Sequence, residues 1–200
     1  MLIPDSPNEP TAKSASRTRS ACVLVSGGMD SAACLDFYLQ GGFVVSGLFV
    51  DYGQAARIQE RRSASNIANH YGIELHSLSM DGASGYSSGL VIGRNAFLLF
   101  AALMESNLAL DLIVTGVHAG TQYYDCSGSF INAMQAIFDG YTGGRIRIGT
   151  PFLEWSKFDI FDYSQNRKVP ISMTYSCEAG GETPCGRCLS CRDTEVLRAR

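Results

Sequence analysis

No apolar run in this 200-residue chain approaches the ~18 residues that a membrane-spanning helix needs. No membrane partner is expected. Charge is sparse, at 18%, and carries no basic excess: 16 Lys and Arg stand against 19 Asp and Glu, for a net charge of −3. A protein that wraps duplex nucleic acid needs a basic footprint, so no nucleic-acid partner is expected either. A small anion held by a few local donors remains open. Residues 1–20, rich in Pro, Ser, Thr, Asp and Glu, lack the apolar core of a secretory signal and read as a flexible tail. The chain has neither a Walker Gly-x-x-x-x-Gly-Lys-Ser/Thr string nor a Gly-x-Gly-x-x-Gly fingerprint after a strand. No internal repeat is found. What remains is a cytoplasmic globular protein, 46% hydrophobic, with material for one core and a small appendage.

What is present is an alternation of β-prone runs and helix-like segments. Strands read at 21–25, 43–50, 73–78, 110–115 and 145–148. Helices read from 32 to about 40, then at 55–71, 94–106, 127–138, 157–163 and 192–199. Gly41-Gly42 stops the first helix and Gly72 caps the second. The first strand is apolar on both faces, as a central parallel strand is. The helix at 94–106 carries Ala96, Phe97, Leu99, Phe100 and Leu103 and is expected to be well buried. Residues 80–89 read as a surface loop. The expected fold is α/β, a doubly wound, mainly parallel five-stranded sheet spanning 21–165, followed by a cysteine-rich segment at 166–200.

Val23-Leu24-Val25 runs straight into Ser26-Gly27-Gly28-Met29-Asp30-Ser31, then into a helix. A strand that ends in small residues and opens a helix leaves free backbone N–H groups at a positive dipole end, which attracts an anion. Ser26 and Ser31 add hydroxyl donors. Asp30 disfavours a bare phosphate, so a carboxylate here suggests Mg²⁺ shared with phosphates. A tight turn without ligand is the structural alternative for Ser-Gly-Gly alone. Asp51-Tyr52-Gly53-Gln54 lies at the end of the second strand, the edge where open α/β sheets bind ligands. A helix N-cap is the alternative role for Asp51 or Gln54.

Four of the seven cysteines, Cys177, Cys185, Cys188 and Cys191, form C-x7-C-x2-C-x2-C. Four thiolates at such spacing make a closed tetrahedral zinc site, which is structural because no position is left for substrate. It would hold a segment too poor in apolar residues to fold alone. A redox Cys-x-x-Cys pair is the alternative. Cys22 and Cys34 read as core thiols; Cys126 lies in a loop.

The loop 26–31 resembles the pyrophosphate-binding loop of PP-loop ATP pyrophosphatases. In one order the chain then carries Asp51-Tyr52-Gly53-Gln54 with Glu60, Gly93-Arg94-Asn95, Gly116-Val117, Asp125-Cys126, Phe130-Ile131, Thr150-Pro151, Lys157 and Pro184-Cys185-Gly186-x-Cys188-x-x-Cys191. Together these resemble the 7-cyano-7-deazaguanine synthase (QueC) family over 21–197. The resemblance implies an adenine nucleotide alpha-hydrolase-like (HUP) fold, a homodimer, and ATP, Mg²⁺ and Zn²⁺ as cofactors. It also implies the chemistry: ATP adenylates the carboxylate of 7-carboxy-7-deazaguanine, ammonia gives the amide, and a second activation gives the nitrile. Ser26, Gly27, Gly28, Met29, Asp30, Ser31, Asp51 and Gln54 would bind ATP. Lys157, Arg94 and Asp30 would be catalytic. Arg94, Asn95, Gly116, His118 and Asp125 would meet the substrate, Asp125 through the N–H groups of its aminopyrimidinone edge.

Two departures stand out. The family reads Tyr-Pro-Asp-Cys-Arg where this chain has Tyr123-Tyr124-Asp125-Cys126-Ser127, and the stretch before Gly93 is short. Both fall in the family's substrate region. They raise the alternative of a divergent, defence-system relative that passes the activated acid to an amine of a partner protein. A nucleotide-binding module without turnover is a second alternative. Gly85-Tyr86-Ser87-Ser88-Gly89 matches a serine-hydrolase elbow but lacks the strand before it and the helix after.

Overall fold

The computed structural model describes residues 17–82, 86 and 91–199. Five strands alternate with helices: β1 (Ser20–Leu24), α1 (Met29–Gln40), β2 (Val44–Asp51), α2 (Arg57–Tyr71), β3 (Leu75–Ser79), α3 (Arg94–Glu105), β4 (Leu112–Val114), α4 (Gly128–Thr142), β5 (Arg147–Gly149), α5 (Lys157–Arg167) and α6 (Leu189–Arg198). Short 3-10 turns lie at Tyr124–Cys126 and Ile171–Met173. The strand order is β3-β2-β1-β4-β5, and every pairing is parallel. The doubly wound α/β sheet expected from the sequence is therefore present. The order reverses between β1 and β4, so their C-terminal ends flank a crevice of the kind where such sheets bind ligands.

Side chains alternate across β1, and the two faces feed two cores. Ala21, Val23 and Val25 join Ala33, Leu35, Ile67, Phe152, Ile160 and Leu197. Cys22 joins Leu48, Ile113, Leu99, Phe130 and Phe138 on the other face. Helices α1, α2, α5 and α6 thus cover one side of the sheet, and α3 and α4 the other. Leu197 ties the last helix of the cysteine-rich segment into the first core. Asp36 on α1 is 4% exposed and accepts bonds from Tyr163 Oη (2.7 Å) and Arg167 Nε (3.2 Å). That tie fixes the pitch of α5, whose first residue is Lys157.

Three expectations need correction. Helix α3 is not well buried: Leu99, Ala101 and Ala102 face the sheet, whereas Phe97 is 37% and Met104 80% exposed. One stripe suffices to cover the sheet, and nothing in the described residues covers the other. Helix α6 begins at Leu189, not 192, so Cys188 is its N-cap and Cys191 lies in its first turn. Helix α5 runs on to Arg167, held by a capping box between Ser156 and Asp159. Most of the 80–89 loop, the serine-hydrolase-like string apart from Tyr86, and residues 1–16 of the tail lie outside the described residues.

Candidate active site

The loop 26–31 turns tightly. Gly27 has φ +83°, in the left-handed region. A Cβ there would sit 2.5 Å from the backbone oxygen of Glu60 and 3.0 Å from Ser63 Cβ. Only glycine satisfies both the dihedral and the close approach of α2. Gly27→Ala is expected to store on the order of 1–3 kcal/mol of strain and to weaken ATP binding by about tenfold or more; titration calorimetry against ATP checks it. Gly28 occupies the N-cap position of α1 and offers no side-chain cap. The first-turn N–H groups therefore stay available to an anion. The Ser31 hydroxyl donates to Gly28 O (2.9 Å), and the Ser26 hydroxyl lies 3.4 Å from Ser31 Oγ and accepts from Gly28 N–H (3.3 Å).

Asp30, Lys157 and His118 meet in the β1–β4 crevice. Lys157 Nζ makes a close ion pair with Asp30 Oδ2. His118 Nε2 lies 3.9 Å from the same oxygen. His118 Nδ1 accepts the Gly120 N–H at 3.0 Å, which assigns the ring proton of the neutral imidazole to Nε2, facing Asp30. Burial pulls the His118 pKa down, against the opposing charge of Asp30. Gly116, at the end of β4, lets that strand approach the first turn of α1: a Cβ there would meet Asp30 backbone and Cβ at 3.3 Å. Asp30 Oδ1 is buried and has no hydrogen-bond partner among the described residues. An orphaned carboxylate oxygen beside open helix N–H groups suits a divalent ion shared with phosphates.

A second group of polar side chains gathers at the end of β2. Gln54 is buried and fully engaged: its Oε1 accepts Tyr52 N–H (2.9 Å), and its Nε2 donates to Val50 O (3.2 Å) and Glu60 Oε2 (2.9 Å). Its side chain builds the corner and leaves only its backbone for a nucleotide. Asp51 is likewise engaged, through Gly53 N–H (3.1 Å) and Arg61 Nη2 (3.0 Å). It lines an open concavity of about 620 Å³ along α2 with Arg57, Arg61 and Arg62. Neither residue caps α2, whose N-cap is Ala56.

Arg94 opens α3, and its Nε donates to Asn95 Oδ1 at 3.3 Å. Its charge acts on both Tyr52 and Glu60. Asn95 and Asp125 clamp each other: Asp125 Oδ2 accepts the Asn95 N–H (3.3 Å), and Asn95 Nδ2 donates to Asp125 O (2.9 Å). Asp125 is only 8% exposed. Part of its carboxylate thus anchors α3, a role the sequence does not announce. Among the described residues no contact joins Arg94 to Lys157. The sequence names Glu60 only among the residues that carry the family resemblance, without a role, and does not point to Tyr175. The position of Glu60 in the first turn of α2, just after the Asp51–Gln54 corner, is its signal.

The four cysteines cluster as expected. Their sulfurs all lie within 4.8 Å of one another, and Cys185 and Cys191 Sγ are 4.0 Å apart. Thiolates about 2.3 Å from one tetrahedral ion would be spaced by about 3.8 Å, so the set fits a zinc knuckle. Backbone N–H groups of Arg187 and Cys188 aim at Cys185 and pull its thiol down, whereas burial pushes the Cys191 thiol up. The segment is tied to the loop: Tyr175 N–H donates to Gly27 O at 2.9 Å, and Gly180 packs directly on Ala55.

The profile of the queuosine biosynthesis protein QueC matches residues 20–91 and 82–197. The chain belongs to the QueC family. Two curated relatives, both named 7-cyano-7-deazaguanine synthase, agree. That of Synechococcus sp. (strain CC9311) is 34% identical over 212 residues, covering 90% of this chain and 93% of the relative. That of Parasynechococcus marenigrum (strain WH8102) is 33% identical over 204 residues, covering 87% and 90%. Solved structures share the fold at low identity. A 4-thiouridine synthetase in complex with RNA and bound ATP has TM-score 0.54 at 15% identity, over 90% of this chain and 50% of that one. The U34-tRNA thiolase NcsA from Methanococcus maripaludis has TM-score 0.52 at 14%, over 91% and 65%. The NMN synthetase from Francisella tularensis has TM-score 0.51 at 15%, over 92% and 79%. Where the resemblance leads to an arginine, this QueC-family chain has Ser127. Ser127 is the N-cap of α4, accepting Phe130 N–H at 3.2 Å, while its hydroxyl donates to Tyr124 O at 2.7 Å.

Proposed function

We propose that this chain uses ATP to adenylate the carboxylate of 7-carboxy-7-deazaguanine and then forms a C–N bond with ammonia, ending at 7-cyano-7-deazaguanine. The observation that supports this most is the uncapped N-terminus of α1 with Lys157 and Asp30 beside it, in a chain of the QueC family. A carboxylate is a poor acyl donor until its oxygen becomes part of a good leaving group. The α1 N–H groups and the Ser26 and Ser31 hydroxyls would hold the departing pyrophosphate. Lys157 would meet the charge that develops as it leaves. Arg94, with Asn95 and Gly116, would orient the acid, and the buried His118 would keep water from Asp30. Asp51 and Gln54 would contribute through the shape of their corner. Mg²⁺, held by Asp30, would neutralise phosphate charge, and Zn²⁺, held by Cys177, Cys185, Cys188 and Cys191, would be structural. We assign residues 21–165 to the ATP-binding domain and 166–200 to the zinc-held segment, in a cytoplasmic homodimer. No helix of the described residues is long and apolar enough to cross a membrane.

Ser127 favours a second reading. Without an arginine at that position, the chain would stop at an amide, formed with ammonia or with an amine of a partner protein in a defence system. Incubation with ATP, Mg²⁺, the acid and ammonium, followed by mass spectrometry, separates the two. A nitrile is the expected product. An accumulating amide establishes the second reading. ATP binding without consumption would make the chain a binding module.

A further inference from the structure

We propose that Glu60 is the proton acceptor for the nitrogen that attacks the activated carboxylate. The inference rests on the adenylation reading above and assigns its second half-reaction. Glu60 sits in the first turn of α2, immediately behind the phosphate loop, and its backbone oxygen is the atom that forbids a side chain on Gly27. Its side chain is half-buried. Oε2 accepts the Gln54 amide at 2.9 Å. Oε1 takes no donor among the described residues.

The neighbouring acids are answered differently. Asp30, Asp51 and Asp36 each have a lysine or arginine nitrogen within 3.2 Å. Glu60 has no such salt bridge among the described residues. Its one hydrogen-bond partner is a neutral amide, fixed in turn by Tyr52 N–H and Val50 O. Charged and titratable groups face it from four sides: Arg94 on α3, Asp51 at the end of β2, and the phenols of Tyr52 and Tyr175. Burial outweighs Arg94 and holds the Glu60 carboxyl above the usual carboxylate range. A half-buried carboxylate with no salt bridge among the described residues, one oxygen steadied and the other without a donor, can seat an ammonium ion although Arg94 acts on it from a longer range. Arg94 lies on the same side, where the carboxylate of the acid would be drawn.

The proton balance needs such a group. At neutral pH ammonia is mostly ammonium, as is a protein amine, and neither has a free lone pair. Glu60 takes one proton from ammonium, and the lone pair is freed on nitrogen. That pair forms the C–N bond, and the bond from the acyl carbon to the AMP oxygen then breaks. AMP leaves with the electron pair. The second proton passes from the nitrogen of the tetrahedral adduct to water before AMP departs, and Glu60 returns its own to solvent. No oxidant or further reactant enters.

Glu60→Gln tests this, because glutamine still accepts from Gln54 but cannot take a proton. ATP–pyrophosphate exchange dependent on 7-carboxy-7-deazaguanine reports the step before nitrogen enters, and single-turnover amide formation reports the step after. At pH 7 the variant is expected to lose about 100-fold or more in amide formation from ammonium, and far less in exchange. Hydroxylamine, largely unprotonated at that pH, is expected to restore acyl transfer to within about tenfold of wild type. Equal losses with ammonium and hydroxylamine, or no loss with either, overturn the proposal. Loss of exchange in both Glu60→Gln and Glu60→Asp would assign Glu60 to holding the loop and overturn it as well. Absence of exchange in the wild type would sink the adenylation reading itself.

Discussion

Lys157→Met is expected to lower acid-dependent ATP–pyrophosphate exchange by about 10²–10³-fold, the usual cost of removing one preorganised donor from developing charge. The lysine is well placed for that effect. It is the first residue of α5, set by the Ser156–Asp159 capping box and by the Asp36 tie at the other end of the helix. Its side chain is 27% exposed and is held by Asp30, so little reorganisation is needed when pyrophosphate charge appears. Methionine keeps the length and apolar stem of lysine and removes the charge. Arginine is not expected to rescue, because its planar fork is longer and differently directed than an ammonium. Circular dichroism should show both variants folded, since α5 keeps its cap and its buried residue Ile160. Exchange within about threefold of wild type in Lys157→Met would remove the lysine from the site.

Removing a metal from the four-cysteine cluster proposed to hold it is expected to have the second large effect, at a distance from the chemistry. A structural zinc in a segment with little core of its own is the folding energy of that segment. Here the segment reaches back to the phosphate loop through Tyr175 N–H and Gly27 O, and to the β2–α2 corner through Gly180. Cys188→Ser should remove one thiolate while leaving a good capping residue at the N-cap of α6. We expect one zinc per chain by elemental analysis, a fall in Tm of at least about 10 °C on stripping it, and weakened ATP binding that returns with zinc. Unchanged Tm after complete metal loss would show that the segment folds without it.

The phosphate loop and the cysteine knuckle were legible in the sequence because both are local. An uncapped helix start at Gly28 and a Cys-x-x-Cys spacing require nothing from distant residues, and the left-handed turn at Gly27 is local even though the close approach of α2 is not. The parallel sheet was legible because β1 is apolar on both faces. Pairings across sequence were not. Asp125 meets Asn95 across 30 residues, and Lys157 meets Asp30 across 127. Resemblance to a family supplied Lys157 but no partner for it. Glu60 becomes a site residue only when β2, α2 and α3 come together around Gln54 and Arg94. Composition alone predicts a buried α3, because it counts apolar side chains without saying which stripe meets the sheet. The role of Ser127 as the cap of α4 is local, yet it was hidden behind the expectation of an arginine.

The central claim is that the crevice between β1 and β4 activates a deazapurine carboxylate with ATP. Acid-dependent ATP–pyrophosphate exchange tests it most directly, using zinc-loaded protein, Mg²⁺, labelled pyrophosphate and 7-carboxy-7-deazaguanine. Label entering ATP only when the acid is present is the predicted result. No exchange with the acid, from protein shown to be folded and metal-loaded, would contradict it.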